Sequence, residues 1–302
     1  FHGGLPAGNI AVTEQHQDPL GTIIAGRLKN LNRLMQLGQT WIARNLRESI
    51  RTLQAVKRSC QIEDPAAQLE EVAIEDLLGR EPVQLDWTAI RQALSGKRVL
   101  VTGGGGSIGA ELCRQVARLG ASALGILEQS EYNLYQIERQ LKREFPDLEL
   151  DAALGDVCDP ATCRHVMETL RPQVVFHAAA YKHVPLLQQQ LREAFRNNVL
   201  GTRAIALAAD EAGVETFVLI SSDKAVNPAN VMGATKRVAE IFCQNLAKRS
   251  RTRFLTVRFG NVLDSAGSVV PLFREQIRQG GPVTVTHPEI SRYFMTIPEA
   301  CQ

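Results

Sequence analysis

The sequence predicts an α/β fold, in which helices cover both faces of a doubly wound parallel sheet. From Lys97 onward, short apolar segments alternate with helical segments of ten or more residues, as in parallel strands that are joined by helical crossovers. The apolar segments lack the period-two alternation of a half-exposed strand, which indicates that both faces of the sheet are buried. A glycine-rich turn follows the first apolar segment. Together these features predict a Rossmann-like architecture.

The predicted elements follow one another in a regular order. The strands, in chain order, are RVLVTG, ALGILE, LELDAALGD, QVVFHAAA, TFVLISS and FLTVRFGN. The helices between them are SIGAELCRQVARLG, the charged segment Tyr132 to Phe145, CRHVMETLRP, FRNNVLGTRAIALAADEAG and the segment Met232 to Arg249. Each strand is thus connected to the next by a helix.

The chain before this sheet is predicted to contain a helical extension and a connector. In residues 1–60, apolar residues recur at spacings of three and four, as in Leu28, Leu31 and Leu34, which is an amphipathic helical pattern. Packing on a neighbouring domain explains this pattern better than a helix on a membrane surface. Residues 61–96 are acidic at first and interrupted by Pro and Gly, so we predict a connector with short helices.

The composition argues against several classes of protein. The net charge of +2 and the pI near 8.3, without a dense run of Lys and Arg, do not suggest a nucleic-acid surface. The six cysteines form no CxxC pair, so we expect reduced thiols and no metal site. No apolar segment approaches the ~20 residues that cross a bilayer, so we expect no membrane span in this chain. Because the chain starts without Met or a signal-peptide pattern, we expect it to begin inside a longer parent protein.

The turn after the first strand carries a phosphate-binding pattern. VTGGGGSIGA places TGxxGxxG on Thr102, Gly103, Gly106 and Gly109, between a buried strand and a helix, which is the context that this motif needs. Gly103 permits the tight turn, Gly106 lets backbone amides approach a pyrophosphate, and Gly109 lets helix and strand pack closely. Glu128 ends the second strand, where a carboxylate holds a ribose diol and favours NAD over NADP. A glycine turn without a ligand is the alternative.

Further polar residues follow the third and fourth strands. Asp156, in GDVCD, is placed to accept a hydrogen bond from an adenine amine, although a helix cap near Asp159 explains the spacing almost as well. Small side chains that leave room for a flat ligand follow the fourth strand: Ala178, Ala179 and Ala180. Lys182 and His183 then lie at the carboxyl edge of the sheet, where doubly wound folds bind ligands. A plain loop histidine is the alternative for His183, and His177, inside the strand, is expected to be a buried packing residue.

These segments together resemble one family. TGGGGSIGAELCRQ, HAAAYKHVPL, NNVLGT, SSDKAVNPANVMGATKR, VRFGNVLDSAGSVVPLF and PVTVTHPEISRYFMT are similar, in this order, to motifs of the extended short-chain dehydrogenase/reductase family. The resemblance runs from residue 98 to the end of the chain and narrows to the polysaccharide-biosynthesis branch of nucleotide-sugar 4,6-dehydratases. Members of this branch convert UDP-N-acetylglucosamine to a 4-keto-6-deoxy sugar. The resemblance therefore implies NAD as cofactor and UDP-N-acetylglucosamine as substrate.

The resemblance also assigns catalytic roles within SSDKAVNPANVMGATK. It implies that Asp223 protonates the departing C6 hydroxyl, that Lys224 removes the C5 proton and that Ser222 hydrogen-bonds the sugar. A solvated ion pair at a strand end is the alternative for Asp223 and Lys224. Lys236, one helical turn after Met232, is expected to bind the nicotinamide ribose.

Position 232 departs from the common pattern of the family, which has Tyr there. The thioether of Met232 cannot move a proton, and a branch of large membrane-bound dehydratases shares this methionine. The departure therefore identifies the chain with that branch and leaves the base for C4 oxidation unassigned. We expect Asp223 to take the C4 hydroxyl proton, directly or through water, and to deliver a proton later at C6.

The expected binding residues form two sets. The cofactor set is Thr102, Gly103, Gly106, Ser107, Ile108, Gly109, Glu128, Asp156, Val157, Ala178, Ala179, Ala180 and Lys236. The substrate set is Lys182, His183, Asn198, Asn261, Val283, Thr284 and Arg292. By resemblance, Asn198 holds a helix bend and a water near the site, unless it is a solvent-facing helix residue. Asn261 and Arg292 are expected to contact the diphosphate, with a surface arginine as the alternative for Arg292, and Val283 and Thr284 to touch the uridine.

The resulting prediction is an NAD-dependent UDP-N-acetylglucosamine 4,6-dehydratase, a lyase of surface polysaccharide or lipopolysaccharide biosynthesis. Residues 97–302 form its catalytic domain, with a substrate lobe from about residue 262 that we expect to be truncated, because family members continue past MTIPEA. The alternatives are a UDP-sugar 4-epimerase, which normally relies on the missing Tyr, and an inactive protein that binds NAD and nucleotide sugar. We expect a cytoplasmic homo-oligomer. A parent protein anchored to the inner membrane, with this domain on the cytoplasmic face, is compatible with the resemblance.

Overall fold

The computed structural model describes residues 87–285 and 292–302. Its strands are β1 (Arg98–Thr102), β2 (Ala123–Glu128), β3 (Glu149–Leu154), β4 (Val174–His177), β5 (Thr216–Ser222), β6 (Arg253–Phe259), β7 (Asn261–Val262) and β8 (Phe294–Met295). Its α-helices are α1 (Trp87–Leu94), α2 (Ser107–Arg118), α3 (Glu131–Glu144), α4 (Pro160–Leu170), α5 (Val184–Gln189), α6 (Leu191–Phe195), α7 (Thr202–Glu211), α8 (Val231–Ala247), α9 (Val269–Arg278) and α10 (Ile297–Cys301). A π-helical segment (Arg196–Gly201) lies between α6 and α7, and a 3-10 turn (Asp223–Ala225) follows β5.

The first six of these strands form a parallel sheet in the order β3-β2-β1-β4-β5-β6. The chain runs outward from β1 to β3 and then returns to β4 on the other side of β1. This topology confirms the predicted doubly wound fold. Because the strand order reverses between β1 and β4, the loops after these strands diverge and leave a crevice at the carboxyl edge of the sheet.

Two apolar layers bury the sheet, one on each face. On one face α2 and α3 cover the sheet with buried residues such as Leu112 and Leu134. On the other face α4, α7 and α8 pack around Phe217, which is fully buried with Ile205. Burial on both faces explains why the strands are continuously apolar in sequence.

His177 is a buried polar residue of this core, as the sequence predicts. Its ring is fully buried, and its two nitrogens lie 2.7 Å from the hydroxyl oxygen of Thr102 and 2.9 Å from that of Thr202. Burial, together with the positive charge of Lys236, lowers the pKa of His177 to about 3. The ring is therefore uncharged at neutral pH and serves to join β1, β4 and α7.

The helix that the sequence predicts over residues 195–213 is interrupted in the structure. Its first part is the π-helical segment Arg196–Gly201, and regular α-helix begins only at Thr202. The π-helical turn widens the helix and changes the direction of its side chains, and such turns are frequent at functional sites. Periodicity did not predict it because Asn198, at its centre, has hydrogen-bond partners on distant parts of the chain.

The segment after β6 forms a small second layer at the carboxyl edge of the sheet. β7 pairs in parallel with β8, with Asn261 opposite Phe294. The capping box of Thr296 and Glu299 starts α10, and Gln115 of α2 donates a hydrogen bond to the carbonyl of Pro298 at 3.1 Å. These contacts hold the end of the described chain against the helix that follows the glycine turn.

Several predictions concern residues outside the described part of the chain. They are the helical extension over residues 1–60, most of the connector over residues 61–96, and Cys60. The five cysteines that the structure describes are free thiols. Among the described residues, no helix is long and apolar enough to cross a membrane.

Candidate active site

The glycine-rich turn after β1 contains positions where a side chain would clash with neighbouring atoms. Gly103, directly after Thr102, has a φ of 68°, and a Cβ on it would lie 2.7 Å from the Cα of Ala179. A Cβ on Gly109 would lie 2.0 Å from the carbonyl oxygen of Gly103. At Gly106, which caps α2, a Cβ would meet its nearest atom at 3.3 Å. The turn thus brings the amino end of α2, which favours an anionic group, to the edge of the crevice.

Glu128, at the end of β2, is tied to this turn. Its side chain is buried, and its two oxygens accept hydrogen bonds from the amides of Gly105 and Ser130, each at 3.0 Å. A carboxylate oxygen can accept more than one hydrogen bond, so Glu128 keeps the capacity to hold a diol. Its contact with Gly105 gives it a structural role that the sequence pattern did not reveal.

The first residues of α2 connect the turn to the C-terminal segment. The hydroxyl of Ser107 accepts a hydrogen bond from the amide of Ala266 at 3.0 Å. Ile108 packs in a small apolar cluster with Val262 and Met295. The loop after β7 is therefore held beside the first turn of α2.

Asp156 and Asp159 have different roles in the structure. Asp159 caps α4 by accepting from two amides of its first turn, whereas Asp156 accepts from the amide of Cys158 at 2.8 Å and from Arg196 at 2.8 Å. Burial raises the pKa of Asp156, but the hydrogen bonds from Cys158 and Arg196 outweigh it and hold the pKa below its ordinary value. Asp156 is therefore a carboxylate at the carboxyl edge, and the neighbouring Val157 is buried.

The loop after β4 runs beside the glycine turn and then meets the loop after β7. The residues next to Gly103 are Ala178 and Ala179, two of the three small residues that the sequence singles out, and Ala180 follows them. The ammonium of Lys182 lies 3.2 Å from the hydroxyl of Ser265, and burial lowers the pKa of Lys182. The ring of His183 lies against Gly267, where a Cβ would come within 2.2 Å of it. Lys182 and His183 thus face the C-terminal segment across the crevice.

Asn198 fixes the backbone of this loop from the π-helical segment. It is fully buried, its Oδ1 accepts from the amide of Tyr181 at 2.8 Å, and its Nδ2 donates to the carbonyl of Tyr181 at 3.0 Å. Nδ2 also lies 3.1 Å from the hydroxyl of Thr235 on α8. The structure therefore does not support a solvent-facing position for Asn198.

The polar residues at the end of β5 form one hydrogen-bonded cluster. Ser222 donates to Asp223 at 2.9 Å, and the ammonium of Lys224 lies 3.0 Å from the same carboxylate oxygen. Lys224 also donates to Oδ1 of Asn261 at 3.1 Å. The side chains of Asp223 and Lys224 are 30% and 29% exposed, so a ligand can reach them. A hydroxyl, a carboxylate and an amine in mutual contact can exchange protons with a substrate.

Met232 and Lys236 lie one turn apart on α8 but have different surroundings. Met232 is buried in an apolar cluster with Leu187 and Ala194, against which Tyr181 packs. The ammonium of Lys236 donates to the carbonyl of Ile220 in β5 at 2.7 Å. Burial lowers the pKa of Lys236 to about 8, although the charge of Glu240 opposes this change. Lys236 is thus a buried cation directly behind the residues that lead into the Asp223 cluster.

The remaining residues of the expected substrate set lie farther along the C-terminal segment. The amide and the hydroxyl of Thr284 are hydrogen-bonded to the side chain of Gln276 on α9, each at 3.0 Å, and Val283 is half-buried beside it. Arg292 is exposed and precedes Tyr293, whose carbonyl accepts from the amide of Asn261 at 3.0 Å. The structure therefore brings Arg292 to the strand beside Asn261, whereas the bonds of Thr284 hold it to α9.

Sequence reasoning missed the polar residues that support this site from behind. Glu240 is fully buried and bonded to Ser221 and Arg258. Glu240 lies four residues after Lys236 and therefore on the same face of the helix. This spacing is the feature of the sequence from which its role could have been predicted. Within residues 87–285 and 292–302, no group of three or more His, Cys, Asp or Glu side chains could hold a metal ion.

Comparison with known proteins relates about two thirds of the chain to one family. The family described as "Polysaccharide biosynthesis protein" matches residues 99–302. The chain is 54% identical over 236 residues to the "Probable polysaccharide biosynthesis protein EpsC" of Bacillus subtilis, and this match covers 78% of the chain and 40% of that protein. The chain thus spans about two fifths of the length of this relative.

More distant relatives have two different activities in their names. The chain is 33% identical to a "UDP-N-acetylglucosamine 4,6-dehydratase (inverting)" of Campylobacter jejuni, with 68% of the chain and 61% of that protein covered. It is 32% identical to a "UDP-glucose 4-epimerase" of Rickettsia rickettsii, with 68% and 60% covered. Among solved structures, Pen from Bacillus thuringiensis matches with a TM-score of 0.63 and 36% identity, covering 69% of the chain and 63% of Pen.

Proposed function

Because the chain belongs to the polysaccharide biosynthesis protein family, we propose that it is a nucleotide-sugar 4,6-dehydratase with UDP-N-acetylglucosamine as its substrate and NAD as its cofactor. The observation that carries this proposal is the hydrogen-bonded cluster in which Ser222 and Lys224 both contact Asp223, and Lys224 also contacts Asn261. Loss of water from a sugar needs an acid and a base on neighbouring carbons. An adjacent carboxylate and amine at the carboxyl edge of the sheet meet this need.

The residues of the glycine turn fit a dinucleotide. Gly103 and Gly109 have no room for a Cβ, so the backbone of the turn packs closely against Ala179, and the amino end of α2 would bind a pyrophosphate. Glu128 would hold the adenosine ribose, and Asp156 would accept from the adenine amine. Lys236 would hold the nicotinamide ribose with its ammonium. NAD supplies a hydride acceptor for sugar C4 and later a hydride donor for C6.

The proton steps belong to the side chains of this chain. The carboxylate of Asp223 takes the C4 hydroxyl proton as the C4 ketone forms, which leaves Asp223 as the acid for the next step. Lys224, in its uncharged amine form, takes the C5 proton, which the ketone has made acidic, and becomes an ammonium, while Asp223 gives its proton to the C6 hydroxyl and water leaves. Lys224 returns a proton to C5 when C6 has accepted hydride. Met232, buried among apolar side chains, has no part in these transfers.

The product of the wild-type protein tests the proposed reaction. Incubation with UDP-N-acetylglucosamine and NAD in deuterated water, followed by NMR, should give a 4-keto-6-deoxy sugar with deuterium at C5. A UDP-N-acetylgalactosamine product would instead support an epimerase, and no product would support a protein that only binds NAD and nucleotide sugar. The epimerase is the second candidate because the chain is 32% identical to a UDP-glucose 4-epimerase.

The variant Asp223→Asn tests the double role of Asp223. An amide cannot accept the C4 proton, so we expect both the reduction of bound NAD in a single turnover and the release of water to fall by a factor of about 100 or more. Asp147→Asn, on the exposed turn before β3, is the matched control and should keep the wild-type rate. If Asp223→Asn still reduces NAD at the wild-type rate, another residue takes the C4 proton. Tyr181→Phe would then be the next variant, because Tyr181 packs against the apolar cluster that contains Met232.

The assembly and the location of the protein stay predictions. We propose a homo-oligomer, and the exposed apolar residues Val238 and Ile241 on α8, which are 43% and 42% exposed, support pairing of subunits through this helix. We also propose that the domain acts on the cytoplasmic side of the membrane, where nucleotide sugars are made.

A further inference from the structure

A buried ion pair lies directly behind the Asp223 cluster. The carboxylate of Glu240, on α8, is fully buried. Its Oε1 accepts from the guanidinium of Arg258 at 2.7 Å, and its Oε2 accepts from a second nitrogen of Arg258. This two-pronged contact is the geometry in which a guanidinium binds a carboxylate most strongly. Burial raises the pKa of Glu240, but the hydrogen bonds of Arg258 and Ser221 outweigh it and hold the pKa below its ordinary value.

The same carboxylate holds β5 by a side chain. Oε1 of Glu240 accepts a hydrogen bond from the hydroxyl of Ser221 at 2.6 Å, and Ser221 is itself buried. One turn earlier on α8, Lys236 donates to the carbonyl of Ile220. Two consecutive residues of β5 are therefore fixed to α8 by side chains of opposite charge. These are the last two residues before Ser222.

The ion pair also reaches the other half of the cluster. Arg258 lies opposite Ser221 in the pairing of β5 with β6, and three residues later the chain supplies Asn261. The ammonium of Lys224 donates a hydrogen bond to Asn261 and also contacts Asp223. Glu240 thus joins the two strand ends from which all members of the cluster extend. Because a buried carboxylate without its partners is strongly destabilised, these contacts admit few alternative arrangements.

We propose that Glu240 and Ser221 are positioning residues for the proposed dehydration: their hydrogen bond, anchored by Arg258, sets the distance of Asp223 and Lys224 from the sugar. Neither residue touches the substrate. The inference rests on the proposed function for its kinetic consequence, but its structural consequence is independent of that function. Without the hydrogen bond between Ser221 and Glu240, we expect the backbone of the turn Asp223–Ala225 to become more mobile.

Ser221→Ala is the variant that tests this inference, because it removes the hydrogen bond from Ser221 to Glu240 and leaves the ion pair of Glu240 and Arg258 intact. We expect kcat to fall by a factor of about 10 to 100 while KM for the nucleotide sugar changes less than about twofold, since misplaced catalytic groups mainly affect the transition state. Ser221→Thr retains the hydroxyl and should recover most of the rate. Amide hydrogen exchange in residues 222–225 should be faster in Ser221→Ala than in the wild type.

Ser250→Ala is the matched control. The hydroxyl of Ser250 also donates to a carboxylate, that of Asp210, at the far end of α8, so this variant loses the same kind of bond away from the cluster. We expect it to keep the wild-type kcat and the wild-type exchange in residues 222–225. An unchanged kcat and unchanged exchange in Ser221→Ala would overturn the inference. A wild type without a 4-keto-6-deoxy product would refute the proposed function, and the exchange experiment would still decide the positioning role.

Discussion

The buried ammonium of Lys236 makes the stability of this protein depend on pH in a defined way. Lys236 is 6% exposed, and burial lowers its pKa from 10.5 to about 8. In the unfolded chain the same group has an ordinary lysine pKa, so it costs about 3 kcal/mol to keep the ammonium charged in the folded protein at neutral pH. Replacing it in the variant Lys236→Met removes this cost together with the hydrogen bond to Ile220.

The sign and the size of the effect follow from the lowered pKa. Between the folded and the unfolded pKa the unfolded chain binds more protons, so the free energy of unfolding of the wild type rises as pH increases. A pKa of about 8 against 10.5 gives an increase of about 2 kcal/mol between about pH 7 and about pH 9.5. Below about pH 7 both states hold the proton, and the contribution is constant. Lys236→Met lacks this increase.

Urea unfolding of the nucleotide-free wild type and of Lys236→Met measures the difference directly. All other titrating groups are common to the two proteins, so they cancel when one free energy of unfolding is subtracted from the other. The difference should shift in favour of the wild type by about 2 kcal/mol from about pH 7 to about pH 9.5. Lys248→Met, an exposed substitution near the end of α8, should show no such shift. A constant difference for Lys236→Met across this range would refute the reasoning.

Two further substitutions test the turn and the π-helical segment. Gly109→Ala should lower the free energy of unfolding by about 3 kcal/mol, because its Cβ would lie 2.0 Å from the carbonyl oxygen of Gly103. Gly106→Ala, with its nearest atom at 3.3 Å, should fold nearly as the wild type does, and equal midpoints of thermal unfolding for the two variants would contradict this account. Asn198→Ala should cost about 2 to 3 kcal/mol in urea unfolding, because the amide and the carbonyl of Tyr181 lose their partners. Asn245→Ala, which loses two exposed hydrogen bonds, one to the carbonyl of Ile241 and one from the ammonium of Lys248, should change the free energy of unfolding little, and a similar loss in both variants would argue against a special role for Asn198.

The arrangement of the sheet could be predicted because it depends on local patterns. Continuous apolar strands indicate that both faces of the sheet are buried. The helices between the strands are long enough for crossover connections, which indicates a parallel sheet. The glycine turn was equally predictable: the positive φ of Gly103 and the contact of Gly109 follow from the geometry that any strand, turn and helix of this kind require. These features concern residues that are close in the sequence.

The support of the site could not be predicted in the same way. Glu240 and Ser221 are 19 residues apart, and Lys182 and Ser265 are 83 residues apart, so no local period links them. A pattern of apolar residues predicts which side chains are buried, but it does not predict which partner a buried charged side chain will bind. Asn198 lies in a segment whose periodicity predicts a regular α-helix. In the structure this segment is π-helical, and Asn198 forms hydrogen bonds with Tyr181 in the loop after β4.

The sequence by itself thus determined the doubly wound sheet, the position of the glycine turn and the residue types that stand at the carboxyl edge. Only the tertiary structure decided that Asp223, Lys224 and Asn261 meet in one cluster and that the pair of Glu240 and Arg258 lies behind it. The physical reason is the range of the interactions. Strand and helix preferences act over a few residues, whereas hydrogen bonds between buried charges form only after the sheet has brought distant strand ends together.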